Sequence, residues 1–227
     1  MSEKVKLLGI YCGKKKTVDG FDTAMYKSPV QGKQYLSEIG LEGDEQADNK
    51  HHGGTERALH QYPAEHYQFW QQKYGGEQDW QAPGMGENLS SLGMNEETVC
   101  VGDQYQWGEA IIEVSQPRSP CFKLNKRWQL EDFSVEMQSL SRCGWLYRVI
   151  KAGYVDLSQP LTLVSRPENA LTLKEVCDLF FGDPLNPEAL LTLREQSALS
   201  ESWMSKVKAR LETGKLENWN FRLLGHA

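Results

Sequence analysis

A chain of 227 residues is long enough for one good-sized hydrophobic core, or for a large domain with a small one beside it. Its 39% hydrophobic and 25% charged residues are an ordinary globular mixture, and a formal charge of −6 argues against bulk attraction to nucleic acid or to an acidic membrane. No apolar run approaches the roughly 20 residues of a membrane span, and the opening "MSEKVKLLGIYCGKKK" lacks a signal-peptide core, so the expected location is the cytoplasm.

In chain order, "VKLLGIYC" at 5–12 is apolar and β-rich, and "GKKK" follows as a charged turn. Residues 35–63 are dense in Gly, Asp, Glu and His with little periodicity, and read as short strands with long loops. "YPAEHYQFWQQKYGG" reads as a helix, with Pro63 in the first turn, His66, Phe69, Trp70 and Lys73 at helical spacing, and Gly75 as the stop. Residues 97–118 carry two or three β segments, with turns at Gly102-Asp103 and Gly108-Glu109. "EDFSVEMQSLSRCGW" reads as a second helix, with Phe133, Met137 and Leu140 on one side and Gly144 as its stop. "WLYRVIKAGYVDLSQPLTLVSR" returns to strands with a turn near Ala152-Gly153. Many short strands with Gly/Asp turns favour a β-barrel or sandwich.

The texture changes near residue 167. Thr172 and Glu175 have capping-box spacing, Asn186 and Pro187 open a second helix, and a third runs from Ser200 to Gly214. The expected architecture is mainly β with α: a β-barrel domain over 1–166, followed by a three-helix module over 167–227.

The five cysteines, Cys12, Cys100, Cys121, Cys143 and Cys177, are widely spaced, and no pair has C-x-x-C spacing. A disulfide framework or iron–sulfur cluster is not indicated, so cysteine chemistry rests on single thiols. Cys100 and Cys177 lie in apolar runs and read as core. Cys121 is different. In "SQPRSPCFKLN" (115–125) it follows the strand-like "AIIEVSQ", with Pro117 and Pro120 stiffening the loop and Arg118 and Lys123 flanking it. Most single cysteines are buried small hydrophobes. Nearby cations, however, stabilise a thiolate, which can serve as a nucleophile or as a soft metal ligand.

His51, His52, His60 and His66 lack zinc spacing; His60 and His66 read as solvent-facing or helix-capping, and His52 stands before Gly53-Gly54, where backbone can approach a ligand. In "GLEGDEQADNK" the bland alternative is a solvated loop. The functional one is a carboxylate, Glu42 or Asp44, held by Gly40 and Gly43 at a pocket edge. "GMGENLS" (84–90) fails the dinucleotide fingerprint at its third glycine, though its glycines would let Glu87 and Asn88 meet a polar ligand.

"QPRSPCFKLN", "GLEGDEQAD", "HHGGTERALHQYP", "GENLS" and "GWLYRVI" together resemble the MOSC domain family, in a bacterial branch that carries a three-helix tail. The resemblance implies a MOSC-type β-barrel and a molybdenum cofactor (molybdopterin) whose metal is bound by Cys121. It implies reduction of N-hydroxylated compounds such as hydroxylaminopurine bases, with Glu42 or Asp44 supplying a proton. Arg57, Arg118 and Lys123 are the expected anion contacts, and His52, Asn88, Ser119 and Asn125 the expected hydrogen-bonding partners of the pterin edge. Since no nicotinamide, iron–sulfur or haem motif is visible, a separate flavin or iron–sulfur electron donor is expected. A non-catalytic cofactor carrier is the alternative. A nucleic-acid adaptor ranks lower, because residues 167–227 hold seven Lys/Arg against nine Asp/Glu.

Overall fold

The computed structural model describes residues 4–18, 20–47 and 53–226. The N-terminal part is built of short strands: β1 (Lys4–Val5), β2 (Leu7–Cys12), β3 (Lys16–Val18), β4 (Phe21–Thr23), β5 (Ser28–Pro29), β6 (Gln34–Ser37) and β7 (Gly40–Leu41). A 3-10 turn, Thr55–Arg57, leads into β8 (Leu59–Pro63), then α1 (Glu65–Tyr74), β9 (Leu89–Ser91), β10 (Gln104–Trp107) and β11 (Ala110–Pro117). Two short helices follow, α2 (Phe122–Trp128) and α3 (Phe133–Ser139), before β12 (Trp145–Lys151), β13 (Gly153–Val155) and β14 (Leu161–Ser165). The tail holds α4 (Leu173–Cys177) with a π-helical turn at Asp178–Gly182, then α5 (Pro187–Arg194), α6 (Glu201–Thr213) and α7 (Asn220–Leu224).

The main sheet has nine strands in the order β1-β14-β10-β11-β12-β8-β9-β2-β5. The expected mainly-β architecture is present, but the sheet is not closed into a barrel, because β1 and β5 stand at its two ends. Only Lys6 separates β1 from β2, yet β1 pairs with β14 and β2 with β9. The sheet must therefore curl until both its sides reach one segment of chain. A second sheet, β13-β6-β7, forms where the chain turns at Ala152 and leaves the main sheet.

The hairpin of β10 and β11 shows why these residues make strands. Trp107 pairs with Ala110 across Gly108-Glu109, and Gly108 takes φ 56°, which a two-residue hairpin turn requires. Ala110, Ile112 and Val114 alternate inward and are buried. They join Trp107, Trp145 and Tyr147 in the principal core, which continues without a break into Leu173, Val176, Phe180, Leu193, Trp203 and Val207 of the tail. A second cluster lies under α1, α2 and α3, where Trp80 stacks on Trp128 at 3.9 Å between ring centroids.

Local readings held where caps are strong. Thr172 and Glu175 form the full capping box, Asn186 caps α5 with Pro187 behind it, and Gly214 ends α6 in the left-handed region. Ser200 precedes α6, but its hydroxyl is 2.7 Å from Gln116 Oε1 rather than on the helix backbone. Pro63 ends β8 instead of starting α1. The helix α3 stops at Ser139, five residues before Gly144. Two helices were not expected: α2, which starts at the residue after Cys121, and α7.

Candidate functional site

The strand β11 ends at Pro117, and the Arg118 N–H donates to the Gly144 carbonyl at 3.0 Å, carrying the pairing with β12 one step further. The chain then turns through Ser119 and Pro120 to Cys121, whose backbone is extended (φ −137°, ψ 162°) and whose carbonyl accepts from Leu124 N at 2.9 Å. Cys121 is only 7% exposed. The prolines therefore fix the thiol inside the protein rather than displaying it at the surface. Gly144 makes the neighbouring wall thin. Its φ is +69°, and a Cβ there would meet Gln61 O at 2.3 Å and His60 Nε2 at 3.1 Å.

Two buried nitrogens on this wall, Arg118 Nη1 and His60 Nε2, have no hydrogen-bond partner among the described residues. His60 comes from β8, opposite Leu146 of β12, and is 8% exposed. It does not face solvent, and neither does His66, which is buried with Nε2 2.6 Å from Glu96 and Nδ1 2.8 Å from Arg142 Nη1. Burial first, then the charges of Arg118 and Lys27, push the His60 imidazole well below its ordinary range, so it is neutral near pH 7.

Asp44 forms the next part of the wall. Its Oδ1 accepts from Lys27 Nζ at 2.5 Å and from Gly13 N at 2.7 Å, and its Oδ2 accepts from Asn88 Nδ2 at 2.8 Å. Asn88 also donates to Tyr11 O and accepts from His60 N, so its amide ties β2, β8 and the Asp44 loop together. The Cys12 thiol nearby is pushed up to about 11 by burial and by Asp44. Glu42 is exposed and shares with Asp44, Gly40 and Gly43 the lining of a cavity of about 340 Å3. Both glycines have positive φ.

The remaining expected residues are dispersed. Lys123 Nζ donates to the Asp22 carbonyl and sits 5.9 Å from the Phe21 ring centroid, over the β3–β4 hairpin. Asn125 is buried, donating to Leu223 O and accepting from Ser134 N, so it joins α2, α3 and α7. Ser119 is half-buried between Arg118 and Pro120. Arg57 ends the 3-10 turn before β8, and burial lowers its pKa. His52 lies outside the described residues. Glu87 is fully buried, accepting from Tyr67 Oη at 2.6 Å and Met85 N at 3.0 Å, and burial raises its carboxyl to about 7. Sequence reasoning missed His60, Lys27 and Arg222 as neighbours of this wall. Their only signal is three-dimensional, since they come from separate elements.

The class of protein follows from the sequence match over this region. Residues 48–162 match the MOSC domain, and residues 171–214 match the YiiM-like, 3-alpha helix domain. The chain belongs to the MOSC family, with the YiiM type of helical tail. It is 42% identical over 218 residues to protein YiiM of Escherichia coli, covering 95% of this chain and 97% of that one. The crystal structure of that YiiM superposes with a TM-score of 0.85 and 37% identity, over 98% of this chain and 100% of the other. A protein of Gibberella moniliformis named a reductase is 40% identical over 147 residues, 64% of this chain and 26% of the fungal one.

MOSC domains are associated with the molybdenum cofactor. The residues present fit such a group. Cys121 brings a soft thiol, and the unsatisfied guanidinium N–H of Arg118 on the same loop costs about 1–3 kcal/mol unless a ligand oxygen accepts from it. His60 Nε2 offers a second unfilled polar position within electrostatic reach of Arg118. Of the residues first expected to touch the cofactor, Asn88 and Asn125 already spend their amides on backbone and side-chain partners.

Proposed function

We propose that the chain is a cytoplasmic, molybdenum-cofactor-dependent reductase of N-hydroxylated compounds such as hydroxylaminopurine bases, with Cys121 as the protein ligand to molybdenum. The observation that carries the reading is the buried Cys121 thiol at the end of β11, on a loop whose Arg118 keeps one buried N–H unpaired. The match to a fungal protein named a reductase supports the reaction class. Five cysteines without a disulfide support a reducing compartment.

The net reaction converts R–NH–OH, two electrons and two protons into R–NH2 and water. When bound, the cofactor would supply the two-electron, oxygen-transfer redox chemistry. The protein's part is to hold and protonate. Cys121 would anchor the metal, and Arg118 would donate to an anionic oxygen of the group. Neutral His60 gives a hydrogen bond without adding charge. Glu42, exposed at the 340 Å3 cavity, is better placed than Asp44 to bring a proton from solvent, because Asp44 is already committed to three donors. Electrons come from a separate flavin or iron–sulfur protein, a role supported by the lack of any nicotinamide fingerprint in the sequence.

The test is an assay of molybdenum-loaded protein with a hydroxylaminopurine. A chemical reductant should sustain turnover, and NADPH alone should not. Loaded protein that retains its cofactor yet reduces no N-hydroxylated purine, pyrimidine or amidine would overturn the reductase reading in favour of a carrier.

A further inference from the structure

The C-terminal helix α7 lies outside both matched segments, yet it reaches the Cys121 loop. Asn125 Nδ2 and Ser134 Oγ donate to the Leu223 carbonyl at 2.9 and 2.7 Å, fixing α7 against α2 and α3. On the next residue back, Arg222 Nη1 donates to the Pro120 carbonyl at 2.5 Å and Nη2 to Gln138 Oε1 at 2.6 Å. Pro120 immediately precedes Cys121, so the guanidinium is pinned to the loop that carries the thiol. Both of its acceptors are neutral, and a guanidinium has five N–H donors, so capacity remains.

Several cations gather around this point. Burial lowers Arg222, with the nearby Arg118 cation acting in the same direction and Cys143, Cys121 and Glu217 against it. Lys206 of α6 is likewise lowered by burial, and Arg222, Arg57 and Arg210 add to that. Glu217, which acts on both, is already held by Arg210 through a two-point contact of 2.9 and 2.7 Å. Among the described residues, Arg118, Lys206 and Arg222 form no ion pair. Half-buried cations gathered this way, one of them with a buried, unsatisfied nitrogen, are the setting in which planar guanidinium groups bind a phosphate.

We propose that Arg222 and Arg118 together form a subsite for a phosphate monoester beside Cys121, so that the helical tail helps hold the anionic end of the bound group. The proposal rests on the functional reading above only for the owner of that phosphate. It makes the last turn of the chain a binding element rather than a structural appendage. It also gives a reason for Arg222 to be drawn across 102 residues of sequence onto the Pro120 carbonyl.

Inorganic phosphate is the probe, titrated calorimetrically into full-length, cofactor-free protein at constant ionic strength. The same proteins, made in cofactor-competent cells, are assayed for bound pterin by the fluorescence of its oxidised form. Wild type should bind phosphate. Arg222→Gln should bind at least tenfold more weakly and retain little pterin. Arg222→Lys, which keeps the charge but loses the fork, should fall between the two and serves if the glutamine variant does not fold. Lys208→Gln, an exposed change on α6, controls for net charge and should match wild type. No phosphate binding by wild type, or binding and pterin unchanged in both Arg222 variants, overturns the subsite. Arg222-dependent phosphate binding in protein that never acquires pterin upholds the subsite and contradicts the cofactor reading instead.

Discussion

Lys27 Nζ and Asp44 Oδ1 lie 2.5 Å apart with side chains only 6% and 3% exposed, joining the segment after β4 to the glycine-bounded loop after β7. Gly13 N and Asn88 Nδ2 bond the same carboxylate, so four segments of chain meet at one buried charge pair. The pair orders the part of the wall that Asn88 ties to His60, on which Lys27 acts electrostatically.

Removing one partner leaves the other charge buried and uncompensated, which costs about 3–5 kcal/mol. Asp44→Ala should lower the urea midpoint accordingly, and Lys27→Met with Asp44→Leu should recover much of the loss. A single-variant loss below about 1 kcal/mol would mean that water reaches the pair and that it does not organise the wall.

Glu87 sets a pH dependence of unusual sign for a carboxylate. Burial raises its folded value from 4.5 to about 7, so between those values the folded chain holds a proton that the unfolded chain has released. Its contribution therefore weakens stability as pH rises from 4.5 to 7, by roughly 3 kcal/mol over the window. His60 works oppositely, since its lowered value costs stability as pH falls below 6.5. The difference between Glu87→Gln and wild type isolates Glu87. That difference should shift towards the variant by this amount between pH 4.5 and 7, read from urea unfolding at each pH. A difference that stays constant with pH would show that the carboxyl titrates normally.

The tail shares its core with the sheet. Trp203 is fully buried, its ring 4.1 Å from that of Phe180, and both belong to the same cluster as Trp107 and Trp145. We expect Trp203→Ala to cost about 3–5 kcal/mol. Tryptophan fluorescence and far-ultraviolet circular dichroism should follow one coincident unfolding transition in wild type. Two separated transitions would show instead that residues 167–227 unfold on their own.

The elements legible in the sequence were those specified locally. The Gly108-Glu109 hairpin and the caps at Thr172, Asn186 and Gly214 depend on residues within a few positions of each other, and they stand as read. Cys121 could be singled out because prolines and cations surround it in the chain itself. The helix α2 escaped notice because it has only seven residues and opens after a proline-rich loop, and α7 because it has five. Barrel closure depends on which strands pair across the curl between β1 and β2, and no strand announces its distant partner. Arg118 and Arg222 come from the loop after β11 and from α7, and only packing brings them together. Asn88 and Asn125 were expected at the pterin edge through the family resemblance; in the structure both are buried and join separate elements.

The central claim is that Cys121 binds the metal, and molybdenum content tests it most directly. Wild type, Cys121→Ser, Cys100→Ser and Cys143→Ser would be expressed in a cofactor-competent host, purified, checked for folding by circular dichroism, and analysed for molybdenum per chain. Serine is nearly isosteric but offers a harder and far less acidic donor than a thiol. The expected result is near-stoichiometric molybdenum in wild type and in the two core-cysteine variants, and loss of metal in folded Cys121→Ser. Stoichiometric molybdenum in Cys121→Ser would contradict the assignment.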